Sequence, residues 1–238
     1  MTGEDAGTAG VYGAEAADPF CLRAGEARAL LRGHPWRRFA VLGDSIARGV
    51  GDAVAGYPQA PLADRVAALL AAEQPALGYL NLGERGLRTR QVRERQLGAA
   101  LAFAPDLALL VCGANDALRP GYERRAEAVD ADAAAIVRAL QGAGALVVTF
   151  SVFVWSSYPG LPVWLTPPPA ERMAWLGRRA AALAAELGTV HVDLAGHPAA
   201  GCRDMVSADG LHSSARGQSI AAAETVRRLG ARVRAAAG

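Results

Sequence analysis

The sequence predicts a three-layer α/β/α domain built on a parallel five-stranded sheet. Two observations carry this. Five short apolar runs of strand length are spread along the chain, and segments with apolar residues at helical spacing fill the intervals between them. Strands that read as near-continuous apolar runs are those covered on both faces, as helices cover a parallel sheet.

In chain order, residues 1–17 are acidic, small and polar and read as a flexible tail, which leaves 18–238 as one domain. Asp18 followed by Pro19 has the form of an N-cap and first helical residue, predicting a helix through "DPFCLRAGEARALL". The first strand follows in "WRRFAVLG" from Trp36, then a helix in "YPQAPLADRVAALLAAEQP" ending at Pro75. A short strand lies in 77–83 and a polar helix over 89–103. The second half repeats the alternation: strand 106–113, an alanine-rich helix over 121–141, strand 145–154, helix 169–188, strand 189–196 and a closing helix. The Pro-rich connection 155–172 is long for a compact domain, a length that suits a lid or a substrate wall.

Composition excludes several classes of function. Charged residues make up 20% of the 238 and the net charge is +2, too balanced to specify nucleic acid or a membrane surface. All 25 basic residues are arginine, which removes Schiff-base chemistry, a P-loop lysine and a Ser–Lys dyad. Cys21, Cys112 and Cys202 are scattered and odd in number, fitting free thiols in a reducing compartment. The N-terminus lacks a basic start and an apolar core, so the reading is cytoplasmic, without stable membrane insertion. Oligomeric state is not encoded in any pattern here.

In a parallel sheet, ligands bind beyond the carboxyl ends of the strands. Those ends carry Asp44 and Ser45, then Gly83 and Gly86, then Gly113 and Asn115, and finally Asp209 and His212. A hydroxyl, a base, a carboxylate to orient the base and neutral N–H donors are the parts of acyl transfer. Taken singly, Ser45 could equally cap a helix, "GAND" could be a turn, and Asp209 could cap the last helix.

Together these blocks resemble the SGNH (GDSL-type) hydrolase family over residues 36–225. "GDSIARG" is similar to its first block, "NLGERG" to the second, "GAND" to the third and "DGLHSS" to the fifth. The resemblance implies a flavodoxin-like sheet of order 2-1-3-4-5 and no required metal or cofactor. It also implies Ser45 as nucleophile, His212 as base and Asp209 as its orienter. The oxyanion hole would be formed by the Ser45 and Gly86 amides, Gly83 being second choice, and the Asn115 side chain. Ala47 stands where the second glycine of a G-x-S-x-G elbow would be, so an ordinary α/β-hydrolase is disfavoured.

The expected activity is a serine esterase acting on a small-molecule ester or acylated metabolite. An acyltransferase or tailoring enzyme passing the same acyl group to a non-water acceptor is the alternative, and a binding protein without turnover the third. Asp44 is expected to bond loop amides. His191, Asp193 and His197 admit a metal-ligand reading without a third nearby histidine, His34 reads as a turn residue before Pro35, and Cys112 as a small buried hydrophobe. Trp155, Tyr158, Trp164 and Trp175 could line an acyl pocket or pack the long loop down.

Overall fold

A computed structural model describes residues 13–158, 161 and 167–237. Its five strands are β1 (Arg38–Gly43), β2 (Gly78–Asn81), β3 (Leu107–Val111), β4 (Leu146–Ser151) and β5 (Val190–Asp193). They form one all-parallel sheet of order β2-β1-β3-β4-β5. The helices are α1 (Gly13–Ala17), α2 (Glu26–Leu31), α3 (Ser45–Arg48), α4 (Leu62–Glu73), α5 (Thr89–Phe103), α6 (Ala114–Ala117), α7 (Ala126–Gly142), α8 (Pro169–Leu187) and α9 (Ala215–Ala237). None of the described helices is long and apolar enough to cross a membrane.

The alternation of side chains along the strands builds two cores. Phe39, Val41, Leu107 and Leu109 pack on one face with Leu62, Val66 and Leu70 of α4 and Ile220, Val226 and Leu229 of α9. Ala40, Leu42, Ala108 and Leu110 pack on the other with Val92 and Ala100 of α5 and Ile136 and Leu140 of α7. The central strand β3 is buried at every position, whereas the edge strand β2 is only half-buried. This gradient explains why "LALLV" is wholly apolar while "GYLN" carries tyrosine and asparagine.

Three expected boundaries shift. The helix predicted from Asp18 begins at Glu26, because Asp18 is recruited elsewhere: its carboxylate accepts from the Phe20 amide, Tyr57 Oη and Arg216 Nε. A long-range ion pair has displaced the local cap. The helix expected from 121 begins at Ala126, after a turn in which Gly121 holds a φ of 71°. Part of the expected tail is structured: α1 is held by Arg65, whose Nη1 lies 2.7 Å from Glu15 Oε1. Residues 1–12 lie outside the described residues. His34 closes a turn before Pro35, its N–H donating to Leu31 O at 3.0 Å, and it is also buried: it is 1% exposed, its Nε2 lies 3.0 Å from Leu70 O, and its ring stacks on Trp36.

The order reverses at β1 and β3, whose carboxyl ends open the crevice. Gly43 closes β1 there with a φ of 149°, and a Cβ on it would lie 2.0 Å from Val111 O and 2.9 Å from Ala47 Cβ. The α5 residue Gln96 completes the join, accepting from Gly43 N at 2.8 Å and donating to Gly43 O at 2.9 Å. Gly43→Ala is therefore expected to lower stability by more than about 2 kcal/mol, through overpacking and backbone strain. Urea unfolding would show this as a clearly reduced midpoint; an unchanged midpoint would contradict the close approach.

Candidate active site

Ser45 is the first residue of α3, immediately beyond β1. Asp44 caps this one-turn helix, its Oδ1 accepting from Ile46 N at 3.0 Å. The turn that follows brings a distant loop into place. Asp52 N donates to Ser207 Oγ, Ala208 N to Asp52 Oδ2 and Ala215 N to Asp52 O, at 2.9, 2.7 and 2.8 Å. Gly51 permits the contact, since a Cβ there would stand 2.0 Å from Ser213 O. The loop so held carries His212. Its Nε2 lies 2.7 Å from Ser45 Oγ and its Nδ1 2.6 Å from Asp209 Oδ2.

Asp209 is prepared for this role by its own turn. Its Oδ1 accepts from the amides of Leu211 and His212 at 2.9 and 3.0 Å, which leaves Oδ2 for the imidazole. Partial burial acts to raise its pKa, but the bonds from His212 and the two amides outweigh it and hold the carboxyl below its ordinary range. In the tautomer that donates Nδ1–H to Asp209, Nε2 is the nitrogen that accepts from the serine hydroxyl. Ser45 and His212 are each 8% exposed, whereas the Asp209 side chain is 45% exposed.

The neutral donors come from the neighbouring strand ends. Asn115, in α6 beyond β3, lines the same cavity as Ser45 and His212. Its Nδ2 donates to Leu87 O at 3.0 Å and to Asp44 Oδ2 at 3.3 Å, which sets it beside the Gly86 turn. Neither the Ser45 nor the Gly86 N–H has an acceptor among the described residues. The two candidate glycines serve different needs. A Cβ on Gly83 would lie 2.4 Å from Arg48 N, so Gly83 lets the β2–α5 turn press against α3. A Cβ on Gly86 would meet nothing within 4 Å, and what demands glycine there is its φ of 77°.

Beyond these groups the cavity wall is mostly apolar, with Ile46, Leu118, Phe153, Trp155, Tyr158 and Met173 among its residues, and it also includes Ser213 and Gln218. Trp155 also braces the loop that carries His212, donating from Nε1 to Leu211 O at 3.1 Å. Trp175 does not join the cavity; it packs edge-on against Tyr122. Trp164 lies outside the described residues, as do residues 159–160 and the rest of 162–166 in the stretch expected as a lid. His191 bridges Ser151 Oγ and Thr149 Oγ1 at 2.8 and 3.0 Å, and His197 sits edge-on to Phe20 and Phe153, so these residues are spent on local packing. Cys112 stands one residue past β3 and is only half-buried.

Sequence reasoning missed several supports. Asp116 accepts from Thr89 N and Oγ1 at 2.8 and 2.9 Å, tying the loop after β2 to the loop after β3. Arg172, 1% exposed, donates to Ala117 O and Arg119 O and pairs with Glu123. Asp116 had a signal in its place beside Asn115; Gln96 and Arg172, inside helices, had none.

The model of the GDSL-like lipase/acylhydrolase family matches residues 41–220. Among solved structures, a lipase/acylhydrolase from Enterococcus faecalis is 22% identical with a TM-score of 0.62, covering 82% of this chain and 96% of that one. A putative GDSL-like lipase from Parabacteroides merdae is 21% identical (TM-score 0.63; 81% and 95% covered). An acetylxylan esterase from Geobacillus stearothermophilus is also 21% identical (TM-score 0.59; 84% and 96% covered). At these identities the structures share the fold. No curated protein sequence matches the chain significantly.

Asp44 supplies a test of the local electrostatics. Burial, with the like charge of Asp116 adding to it, raises its pKa from 3.8 to about 7 against the pull of the Ile46 amide. Between those values the folded protein holds a proton that the unfolded chain has released, so this group's contribution to stability declines as pH rises and levels off above about 7. Asp44→Asn removes that component. Unfolding free energies measured at pH 4.5 and 7.5 should show the variant gaining on wild type as pH rises; a constant difference would contradict the assignment.

Proposed function

Since the chain belongs to the GDSL-like lipase/acylhydrolase family and is a serine hydrolase, we propose that Ser45, His212 and Asp209 hydrolyse a carboxylic ester through an acyl-enzyme. The observation that carries this reading is the unbroken chain from Ser45 Oγ through the imidazole to Asp209, at 2.7 and 2.6 Å, on the wall of an apolar cavity that also holds Asn115.

A serine hydroxyl attacks an ester only when a base removes its proton. Ser45 Oγ adds to the acyl carbon while its proton passes to His212 Nε2. Collapse of the tetrahedral intermediate breaks the bond to the alcohol oxygen, which takes that proton from His212. Water then adds to the acyl carbon, gives its proton to Nε2, and the acid departs as Ser45 Oγ is reprotonated. Asp209 holds Nδ1–H throughout and stabilises the imidazolium. The oxyanion of each intermediate is met by the amides of Ser45 and Gly86, which have no other acceptor among the described residues, and by the Asn115 amide, which exchanges its longer bond, to Asp44, for the new one.

The apolar wall formed by Phe153, Trp155 and Tyr158 supports a second reading, transfer of the acyl group to an acceptor other than water, because a dry cavity slows the competing hydrolysis. Partitioning at low acceptor concentration distinguishes the two: a transferase passes most of the acyl group to an acceptor that is dilute in water, whereas a hydrolase releases the free acid and forms ester only in proportion to a large excess of alcohol.

Ser45→Ala and His212→Ala should each lower kcat on p-nitrophenyl esters by about 10³-fold or more. Asn115→Ala should lower it by about 10²–10³-fold, the usual cost of one oxyanion donor, with the fold intact by circular dichroism. Near-normal hydrolysis by Ser45→Ala would remove the proposal; near-normal hydrolysis by Asn115→Ala would remove only Asn115 from the oxyanion site.

A further inference from the structure

The cavity that Ser45 shares with the aromatic wall is narrow. It measures about 40 Å³, where a single water needs about 10–15 Å³ and a cavity that takes benzene has about 150 Å³. About three water-sized groups therefore fit. An acetyl group, with its carbonyl carbon, oxygen and methyl, is that size. A butyryl chain or an aromatic ring exceeds it.

The wall is fixed from behind. Trp155 is held at two points, its N–H donating to Tyr158 Oη and its Nε1 to Leu211 O, each at 3.1 Å. Phe153 stacks on Trp155 with ring centroids 5.5 Å apart and meets His197 edge-on at 5.7 Å. All three wall rings are buried. Moving Trp155 or Tyr158 breaks a hydrogen bond and moving Phe153 unstacks Trp155, so widening the space is costly. Met173 of α8, also buried, is the unbranched and adaptable member of the wall.

The order of the chemistry says which half of the ester occupies this space. The alcohol departs before water takes its place beside His212 Nε2, so it needs a path to solvent. The acyl group stays on Ser45 Oγ through both halves and needs none.

Resting on the esterase reading above, we propose that the enzyme is selective for esters of very short acids, acetyl before all others. Phe153, Trp155, Tyr158 and Met173 set the limit, and the alcohol portion lies outside the cavity. Each further methylene of the acyl chain must displace a packed side chain, and a methylene in a closed apolar pocket changes discrimination by about tenfold or more.

The test varies the two halves of the ester separately. With p-nitrophenol as the constant alcohol, kcat/KM should fall about tenfold from acetate to butyrate and about tenfold or more again to octanoate. With acetate constant, 4-methylumbelliferyl acetate, whose bicyclic leaving group is larger at similar acidity, should be hydrolysed about as well as p-nitrophenyl acetate. Met173→Ala, and independently Phe153→Leu, should raise the butyrate-to-acetate ratio about tenfold, and general losses of activity cancel in that ratio. A ratio that neither variant moves overturns the assignment of the wall. An acyl series that is flat or peaks at octanoate overturns the size limit, as does a fall that follows the alcohol while the acyl group is held constant. Sulfonylation of Ser45 Oγ with loss of fluoride reads the same wall without hydrolysis: methanesulfonyl fluoride should react about tenfold faster than octanesulfonyl fluoride, and Met173→Ala should narrow the gap. Equal labelling rates with a flat ester series overturn the size limit alone; no labelling by either reagent and no hydrolysis of either series overturn the esterase reading instead.

Discussion

The arrangement depends on keeping His212 between two groups that approach it from different parts of the chain. Asp209 is three residues away and is delivered by a single tight turn. Ser45 is 167 residues away, and its 2.7 Å bond to Nε2 is the one that tertiary structure must hold. The load falls on the seam between residues 50–52 and 207–215, where three backbone amide donors, two of them to Asp52, and a side-chain-free Gly51 bring the loops together. Further bonds tighten it from outside. Gln218 Oε1 accepts from Leu62 N at 2.9 Å, fixing the first turn of α9 to α4, and Arg216 joins Asp18 and Asp204. Trp155 presses from the cavity side through Leu211 O. An error of about an ångström in such a contact is enough to cost orders of magnitude in rate, which explains why so many otherwise ordinary residues converge on one loop.

The neutral side of the site follows a separate logic. Gly43 lets β1 end against Val111, Asp44 turns the chain, and Gly83 brings the next turn against α3. These contacts place the Ser45 amide, the Gly86 turn and the Asn115 side chain at adjacent strand ends without using a charged group as donor. Dipoles set in advance stabilise a developing charge without reorganising at the moment of reaction. Asp44 is the exception among its neighbours, a carboxyl buried beside Asn115, and burial moderates its charge near neutrality by raising its pKa.

Much of the fold is legible in the sequence because β1 and β3 are covered on both faces and must be apolar throughout, so "FAVLG" and "LALLV" announce themselves. The helices between them show their periodicity for the same reason. Ser45 and Asn115 are readable because each lies just beyond a strand, where a parallel sheet binds ligands, while Asp209 and His212 follow β5 only through a long loop and are readable by their spacing of three. What stays hidden is whatever long-range pairing decides. Asp18 looks like a helix cap until Arg216 claims it, and the turn that His34 closes gives no sign that its ring is buried against Leu70 and Trp36. Gln96 lies in the middle of a polar helix, and no local pattern marks it as the partner of Gly43. Trp155 and Trp175 are alike in sequence context, yet only Trp155 faces the cavity.

The central claim is that Ser45 is an activated nucleophile, and covalent labelling tests it without requiring the natural substrate. The purified protein would be treated with a fluorophosphonate at neutral pH, then weighed intact and mapped by peptide mass spectrometry. The account predicts one adduct per chain, located on Ser45, absent in Ser45→Ala and strongly slowed in His212→Ala. No adduct, or an adduct on another serine that persists in Ser45→Ala, would contradict it.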